Sequence, residues 1–306
     1  MGLEEVGTRP GGGESNAPEY RRWFSDTGTA FGSPRSGASA PGRALEKIGK
    51  GVNGTSFGDS AGIPFRLVDT GSGTVLLTAE RILDFFVAPD DEPPHLVTFA
   101  GVHHVSPDRG KAEEAELQVV DHRGERIGKY YLGRVKAAYG EPPDVTGGRH
   151  PDVPYDFFGF TEEYPRAGEI WREWADDSPA ERGEWARLPA EWHESWLHVV
   201  QTSWFTTGKR ATRYEAAETV VVDGVGITGR AAFYCALGEA VNGPQGYFGS
   251  NLDALFDCLR TARAEGTAPF TLVWRDHSAS RDALGADFFA QVLDVLDAGG
   301  VAVVAD

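Results

Sequence analysis

The chain has 306 residues and a formal net charge of −17 at pH 7, from 46 acidic and 29 basic side chains. This length is sufficient for two domains with buried cores. The negative charge argues against a nucleic acid or an anionic membrane as the main partner, because both repel an acidic protein. It favours a basic partner, or it serves solubility alone.

The cysteine content favours a reducing compartment. The chain has only two cysteines, Cys235 and Cys258, which is too few for a disulfide framework in a chain this long. The first residues lack the basic region and apolar core of a secretory signal peptide, and no apolar run is long enough to span a bilayer. We therefore expect a cytoplasmic protein without a membrane partner.

Residues 1–62 are rich in Gly, Ser, Pro and Ala and offer little apolar surface to bury. This composition predicts a disordered or low-complexity tail. An annotated start codon placed too early is one alternative. A docking peptide around the aromatic residues Tyr20, Trp23 and Phe24 is another.

Residues 63–207, the front region, predict a mostly β, α+β domain that resembles no family we recognise. Short apolar runs separated by turn residues predict strands, with a hairpin turn at residues 121–124. A short helix is expected over residues 79–86. Trp171 and Trp174 have the i,i+3 spacing of a helix, and we expect them to pack in the core rather than to form a ligand-binding box.

The front region shows no constellation typical of an enzyme. His103 and His104 are adjacent on a predicted strand, so they point to opposite faces and rarely serve one metal. Ser195 and His198 lack the context of a nucleophile elbow, and residues 71–73 lack the lysine of a phosphate loop. We therefore expect no enzymatic activity, no metal site and no cofactor.

Residues 208–218 are polar and predict a linker to an α/β domain over residues 219–306. In that domain, helical patterns alternate with three short apolar strands near residues 219–222, 270–274 and 301–304. This order predicts a small three-stranded parallel sheet flanked by helices. One helix is expected after Thr228 as its cap, and another over residues 281–297.

The most informative stretch is residues 247–259, YFGSNLDALFDCL. Ser250 or Asn251 is expected to cap a helix here. Asp253 and Asp257 are four residues apart, so their carboxylates would project from neighbouring turns beside a buried apolar ridge. An ordinary amphipathic helix with solvated acids has the same pattern.

This stretch resembles the signature helix of the barstar family, small inhibitors of secreted bacterial ribonucleases. The likeness is nearly continuous over these 13 residues and extends more loosely over residues 219–306, under a third of the chain. It implies a barstar-like α/β fold. It also implies that the partner is a basic ribonuclease or a ribonuclease toxin domain.

The resemblance also implies a partner-binding site composed of Tyr247, Gly249, Asn251, Asp253, Phe256 and Asp257. Asp257 would occupy the phosphate site of the ribonuclease, with Asp253 beside it. Tyr247 and Gly249 would form the adjoining contact loop, and the other two residues would support or edge the helix. Ala262 and Val295 depart from the family pattern, which leaves a different target or weaker binding as alternatives.

The leading hypothesis is an intracellular inhibitor or immunity protein that blocks a basic secreted ribonuclease with helix carboxylates that mimic RNA phosphates. Such a frame would add no ordering cost at binding. The alternative is an adaptor or sensor whose barstar-like domain binds a partner that is not a ribonuclease. In that case residues 63–207 would sense a ligand or hold a second protein.

Overall fold

The computed structural model describes residues 62–89, 96–108, 110–159, 161–215 and 217–305. The predicted tail lies outside these ranges except for Gly62. All described residues fall within one unit of the chain, Ser56–Asp306, and the predicted division at the linker stays a prediction. Within the described ranges, no helix combines the length and apolar character that crossing a bilayer requires.

The first part of the described chain is a closed barrel of antiparallel strands. The strands are β1 Phe65–Asp69, β2 Thr74–Leu83, β3 Leu96–Val105, β4 Lys111–Val120, β5 Arg126–Ala137 and β6 Val153–Phe157. They pair in the order β1-β2-β3-β6-β5-β4. The predicted hairpin turn joins β4 to β5, and the Asp121 carboxylate accepts the backbone N–H groups of Arg123 and Glu125 there, at 2.9 and 2.8 Å. The mostly β prediction for this region is confirmed.

The helix predicted over residues 79–86 is wrong, because residues 79–83 continue strand β2. Ala79 pairs with Val102 of β3, and Ile82 pairs with Phe99. Both side chains on the β2 side are buried in the barrel. Pairing with the neighbouring strands therefore overrides the local helical preference.

Two helices follow the barrel, α1 Ala167–Asp176 and α2 His193–Thr206. Trp171 and Trp174 on α1 are 0% and 1% exposed, which confirms that they are core residues. The indole Nε1 of Trp171 donates to the hydroxyl of Tyr130 on β5 at 2.7 Å. This hydrogen bond links the helix to the barrel wall.

A partly buried polar cluster lies where α2 meets the barrel. Nε2 of His198 lies 3.0 Å from the hydroxyl of Tyr130 and 3.9 Å from the Glu162 carboxylate. The ring of Tyr164 stacks on the imidazole at 3.9 Å. Burial lowers the pKa of His198 to about 3 and raises the pKa of Glu162 to about 7. At neutral pH, His198 is therefore uncharged and Glu162 is only partly ionised.

Replacing Glu162 by Gln is expected to stabilise the protein at alkaline pH. Because the pKa of this carboxyl is about 7 in the folded chain against an ordinary 4.5, wild-type stability falls as the pH rises through that window. At pH 9 the variant should gain up to about 3 kcal/mol in its free energy of unfolding, and the gain should vanish near pH 4. Urea titrations at a series of pH values measure this difference. Glu173→Gln, at an exposed position of α1, offers a control and should show little of this pH dependence.

The C-terminal part contains the predicted three-stranded parallel sheet. Its strands are β7 Thr219–Asp223, β8 Thr271–Arg275 and β9 Ala302–Ala305, paired in the order β7-β8-β9. Its helices are α3 Arg230–Asn242, α4 Leu252–Ala264, α5 His277–Leu284 and α6 Ala286–Ala298. Val222 and Trp274 are buried on the helix-covered face, whereas Val221 is 43% exposed on the other.

Two local predictions in this part are wrong. The N-cap of α3 is Gly229 rather than Thr228, whose hydroxyl instead lies 3.4 Å from Nδ1 of His193. The helix predicted over residues 281–297 is two helices, because Gly285, with φ of 78°, ends α5 and begins α6. This φ lies in the left-handed region that glycine adopts easily, so the chain changes direction there.

The front region and the C-terminal region share buried contacts. Helix α2 packs against α3. The carboxylate of Glu239 on α3 is buried, and it accepts the backbone N–H of Gly183 at 2.7 Å and the indole N–H of Trp185 at 3.1 Å. Burial raises the pKa of Glu239, and these two donors partly oppose that shift. The two regions are therefore joined by buried hydrogen bonds as well as by the chain.

Candidate partner-binding surface

Helix α4 has one buried and one exposed face. Its N-cap is Asn251, whose side-chain oxygen accepts the backbone N–H of Ala254 at 2.8 Å. This confirms one of the two caps that the sequence allowed. The buried face consists of Leu255, Cys258, Leu259 and Ala262. These contacts fix the rotation of the helix, so the opposite face is held toward solvent.

The exposed face carries both predicted acids. Asp253 and Asp257 are exposed one turn apart, and Phe256 beside them is 43% exposed. Burial raises the pKa of the Tyr234 hydroxyl, and the nearby Asp253 carboxylate adds to that shift. The face therefore presents two carboxylates with an aromatic ring next to them.

Asp257 has an intramolecular partner on the same helix. Its Oδ1 accepts from Nη2 of Arg260 at 2.9 Å, with both side chains more than half exposed. An exposed i,i+3 pair of this kind contributes only about 0.3–0.5 kcal/mol. A cationic partner can therefore displace Arg260 from the carboxylate at small cost.

Gly249 brings the preceding loop close to the first turn of α4. Its φ is +101°, a value that L side chains rarely adopt. A Cβ atom built there would lie 2.7 Å from the backbone N of Leu255. The loop can approach the helix this closely only because residue 249 has no side chain.

The side chain of Tyr247 anchors the loop in the protein interior. Its side chain is only 3% exposed, and its ring packs edge-to-face against Phe205 of α2 at 5.4 Å. Its hydroxyl lies 3.5 Å from Oγ of Ser250. Little of the ring is available to a partner in this conformation, and a direct contact through Tyr247 stays a prediction.

The sequence did not single out two amide side chains that hold the same loop. Nδ2 of Asn242 donates to the backbone carbonyl of Tyr247 at 2.8 Å, and Nε2 of Gln245 donates to the carbonyl of Pro179 at 2.6 Å. Asn242 followed by Gly243 and Pro244 indicated only the end of a helix and a turn. The Gln245 contact joins residues 66 positions apart, and the Asn242 contact depends on how the loop folds back on the end of α3, so the turn residues alone did not reveal either of them.

The residues considered for catalysis or metal binding have other partners. Oγ of Ser195 accepts the backbone N–H of Arg166 at the start of α1, at 3.2 Å. Nε2 of His103 lies 2.8 Å from the Glu80 carboxylate, and its ring stacks on His150 at 3.7 Å. In the described ranges, no group of three or more His, Cys, Asp or Glu side chains is arranged to hold a metal ion.

Comparison with known families supports the resemblance seen in the sequence. The sequence profile of a family described as Barstar (barnase inhibitor) matches residues 217–302. The matched range contains β7, β8, helix α4 and the loop before it. No curated protein matches the chain significantly. The C-terminal region therefore carries the sequence features of a protein-binding inhibitor rather than those of an enzyme.

Proposed function

From this match to residues 217–302, we propose that the protein inhibits a basic ribonuclease or ribonuclease toxin domain. Asp253 and Asp257 enter the phosphate-binding site of the enzyme and pair with the lysine and arginine side chains there. The observation that carries the proposal is the exposed pair of carboxylates on one face of α4. Charge-assisted hydrogen bonds to arginine or lysine are among the strongest that a carboxylate makes.

The rigidity of α4 adds to the expected affinity. The helix is capped by Asn251 and anchored by Leu255 and Cys258, which are both fully buried. Because the carboxylates are already positioned on a packed helix, binding does not have to order the backbone that carries them. More of the interaction energy is therefore retained as affinity.

The charge of the chain favours fast encounter with a basic enzyme. Residues 219–306 contain five Arg, no Lys and eleven acidic residues, a net charge of 5 − 11 = −6. A field of this sign steers a cationic partner toward the surface and raises the association rate at low salt. In the proposed role, the protein acts in the cytoplasm as an immunity protein against such an enzyme.

Replacing Asp257 by Ala is expected to weaken the inhibition of barnase, the enzyme in the family description. Loss of one central charged contact should raise Kd about 30- to 100-fold, which corresponds to about 2–2.7 kcal/mol. Cleavage of RNA by barnase at increasing inhibitor concentration measures this change. The control is Asp176→Ala on α1, which removes the same charge from another exposed position and should change Kd less than about twofold. Equal inhibition by the wild type and Asp257→Ala, or no inhibition by either, would contradict the proposal.

An adaptor remains the second candidate function, and the outer surface of the barrel favours it. Phe158 is 64% exposed and Tyr131 is 58% exposed, and the guanidinium of Arg134 lies 3.9 Å from the centre of the Phe158 ring. Exposed aromatic and arginine side chains are enriched where proteins bind one another. A second partner whose binding is lost in Phe158→Ser but kept in Asp257→Ala would support this function.

A further inference from the structure

We propose that Asn242 is a positioning residue through which the rest of the chain holds the partner-binding loop, residues 243–251, in its binding conformation. The inference rests on the proposed function for the identity of the partner. The fixation of the loop is a property of the free protein and can be tested without a partner.

Asn242 uses both ends of its side-chain amide to join three segments. It is the last residue of α3, and its Oδ1 accepts the backbone N–H of Tyr214 at 2.8 Å. Its Nδ2 donates to the carbonyl of Thr212 at 3.0 Å and to the carbonyl of Tyr247 at 2.8 Å. The linker and the partner-binding loop are thus bonded to the same side chain.

Two contacts from the front region hold the same loop. Gln245 donates to the carbonyl of Pro179, and Phe205 of α2 packs on the ring of Tyr247. Gln245 has φ of +59°, which non-glycine residues adopt only when their surroundings impose it. The loop is therefore held by contacts with three earlier segments of the chain: the linker, the segment at Pro179 and helix α2.

The loop backbone also lies very close to helix α3, which restricts its movement. A Cβ atom built on Gly238 of α3 would lie 2.3 Å from the carbonyl oxygen of Gly246. The loop backbone is therefore packed directly on α3, and its carbonyl at Tyr247 lies within reach of Asn242. Ordering a free backbone costs conformational entropy, so a loop that is already fixed in the free protein avoids that cost at binding.

The front region and linker would thus increase affinity without touching the partner. Residues 217–302, which match the family profile, include Asn242 but exclude Pro179, Phe205, Thr212 and Tyr214. In this chain, part of the support for the binding loop lies outside the region that defines the family match.

The test is Asn242→Asp in the full chain, which keeps the shape and the acceptor for Tyr214 but removes both donated hydrogen bonds. Hydrogen exchange of the free protein should show amides of residues 245–251 exchanging about tenfold faster, while the barrel strands keep wild-type protection. The Kd for barnase should rise at least about fivefold under conditions where the variant is fully folded. The control Gln291→Glu makes the same chemical change at an exposed position of α6 and should alter neither readout.

The possible outcomes separate this inference from the proposed function. Unchanged exchange in the loop overturns the positioning role, whatever Asp257→Ala shows. Faster loop exchange with unchanged Kd for barnase also overturns it. If wild-type protein does not bind barnase, the proposed function fails and loop exchange alone decides whether Asn242 fixes the loop. If Asn242→Asp does not fold, the second variant is Gln245→Ala, which loses the hydrogen bond to the carbonyl of Pro179. Hydrogen exchange of the loop amides in this variant should be about two- to fivefold faster than in the wild type. Unchanged loop exchange in Gln245→Ala would overturn the inference.

Discussion

Gly249→Ala is expected to destabilise the protein by about 3–4 kcal/mol, from backbone strain together with a steric clash. The φ of +101° places an alanine outside its favoured conformations. The new Cβ atom would also lie 2.7 Å from the backbone N and 2.8 Å from Cα of Leu255. Backbone atoms at the start of a packed helix cannot move aside cheaply, so the loop or the first turn of α4 must shift.

The chain offers a control that separates strain from clash. Gly266, just after α4, has φ of +77°, and a Cβ atom built there meets nothing within 4 Å. Gly266→Ala should therefore cost only about 1 kcal/mol, from the unfavourable φ. Chemical unfolding of both variants measures the difference. Equal destabilisation by the two substitutions would contradict the close approach of the loop to α4.

Trp171→Ala is expected to destabilise the protein by about 3–5 kcal/mol, the range for removing a large aromatic side chain from a core. Trp171 is completely buried and packs edge-to-face on Trp174, with ring centroids 5.9 Å apart. Its loss also leaves the Tyr130 hydroxyl without the indole N–H that it accepts. The barrel and α1 would be affected together, because this side chain contacts both.

Trp192 provides the comparison for the same change at a less buried position. Its ring is only partly buried and lies 5.2 Å from the guanidinium of Arg166. Trp192→Ala should cost about 1 kcal/mol, because less apolar surface is lost from the interior. Midpoints of guanidinium unfolding followed by circular dichroism compare the two variants. A cost for Trp171→Ala no larger than that for Trp192→Ala would show that the α1–barrel contact is not a major source of stability.

The features that could be predicted from the sequence depend on neighbours close in the chain. The cap at Asn251 and the outward spacing of Asp253 and Asp257 depend on residues three and four positions apart, and both are present in the structure. The parallel sheet of the C-terminal region was predictable because its apolar strands alternate with helical patterns along the chain. Local periodicity therefore identified the candidate helix and its exposed face.

The features that could not be predicted depend on contacts distant in the chain. Residues 79–83 form a strand because β3 pairs along them, while β1 pairs with Ala79 at their start. Tyr247 is buried because Phe205 packs on it from 42 residues away, across a linker without a recognisable pattern. The break at Gly285 was missed because the apolar periodicity continues across it, and glycine alone does not show whether a helix bends or ends.

Closure of the barrel determines how any other molecule could recognise the front region. Because each barrel strand has a paired neighbour on either side along part of its length, an extended peptide finds no complete strand edge to join there. Recognition of that surface must rely on side chains and turns. In the C-terminal sheet, by contrast, β7 and β9 each have a whole edge that no described strand pairs with, and these two edges are the places where a partner strand could add along its full length.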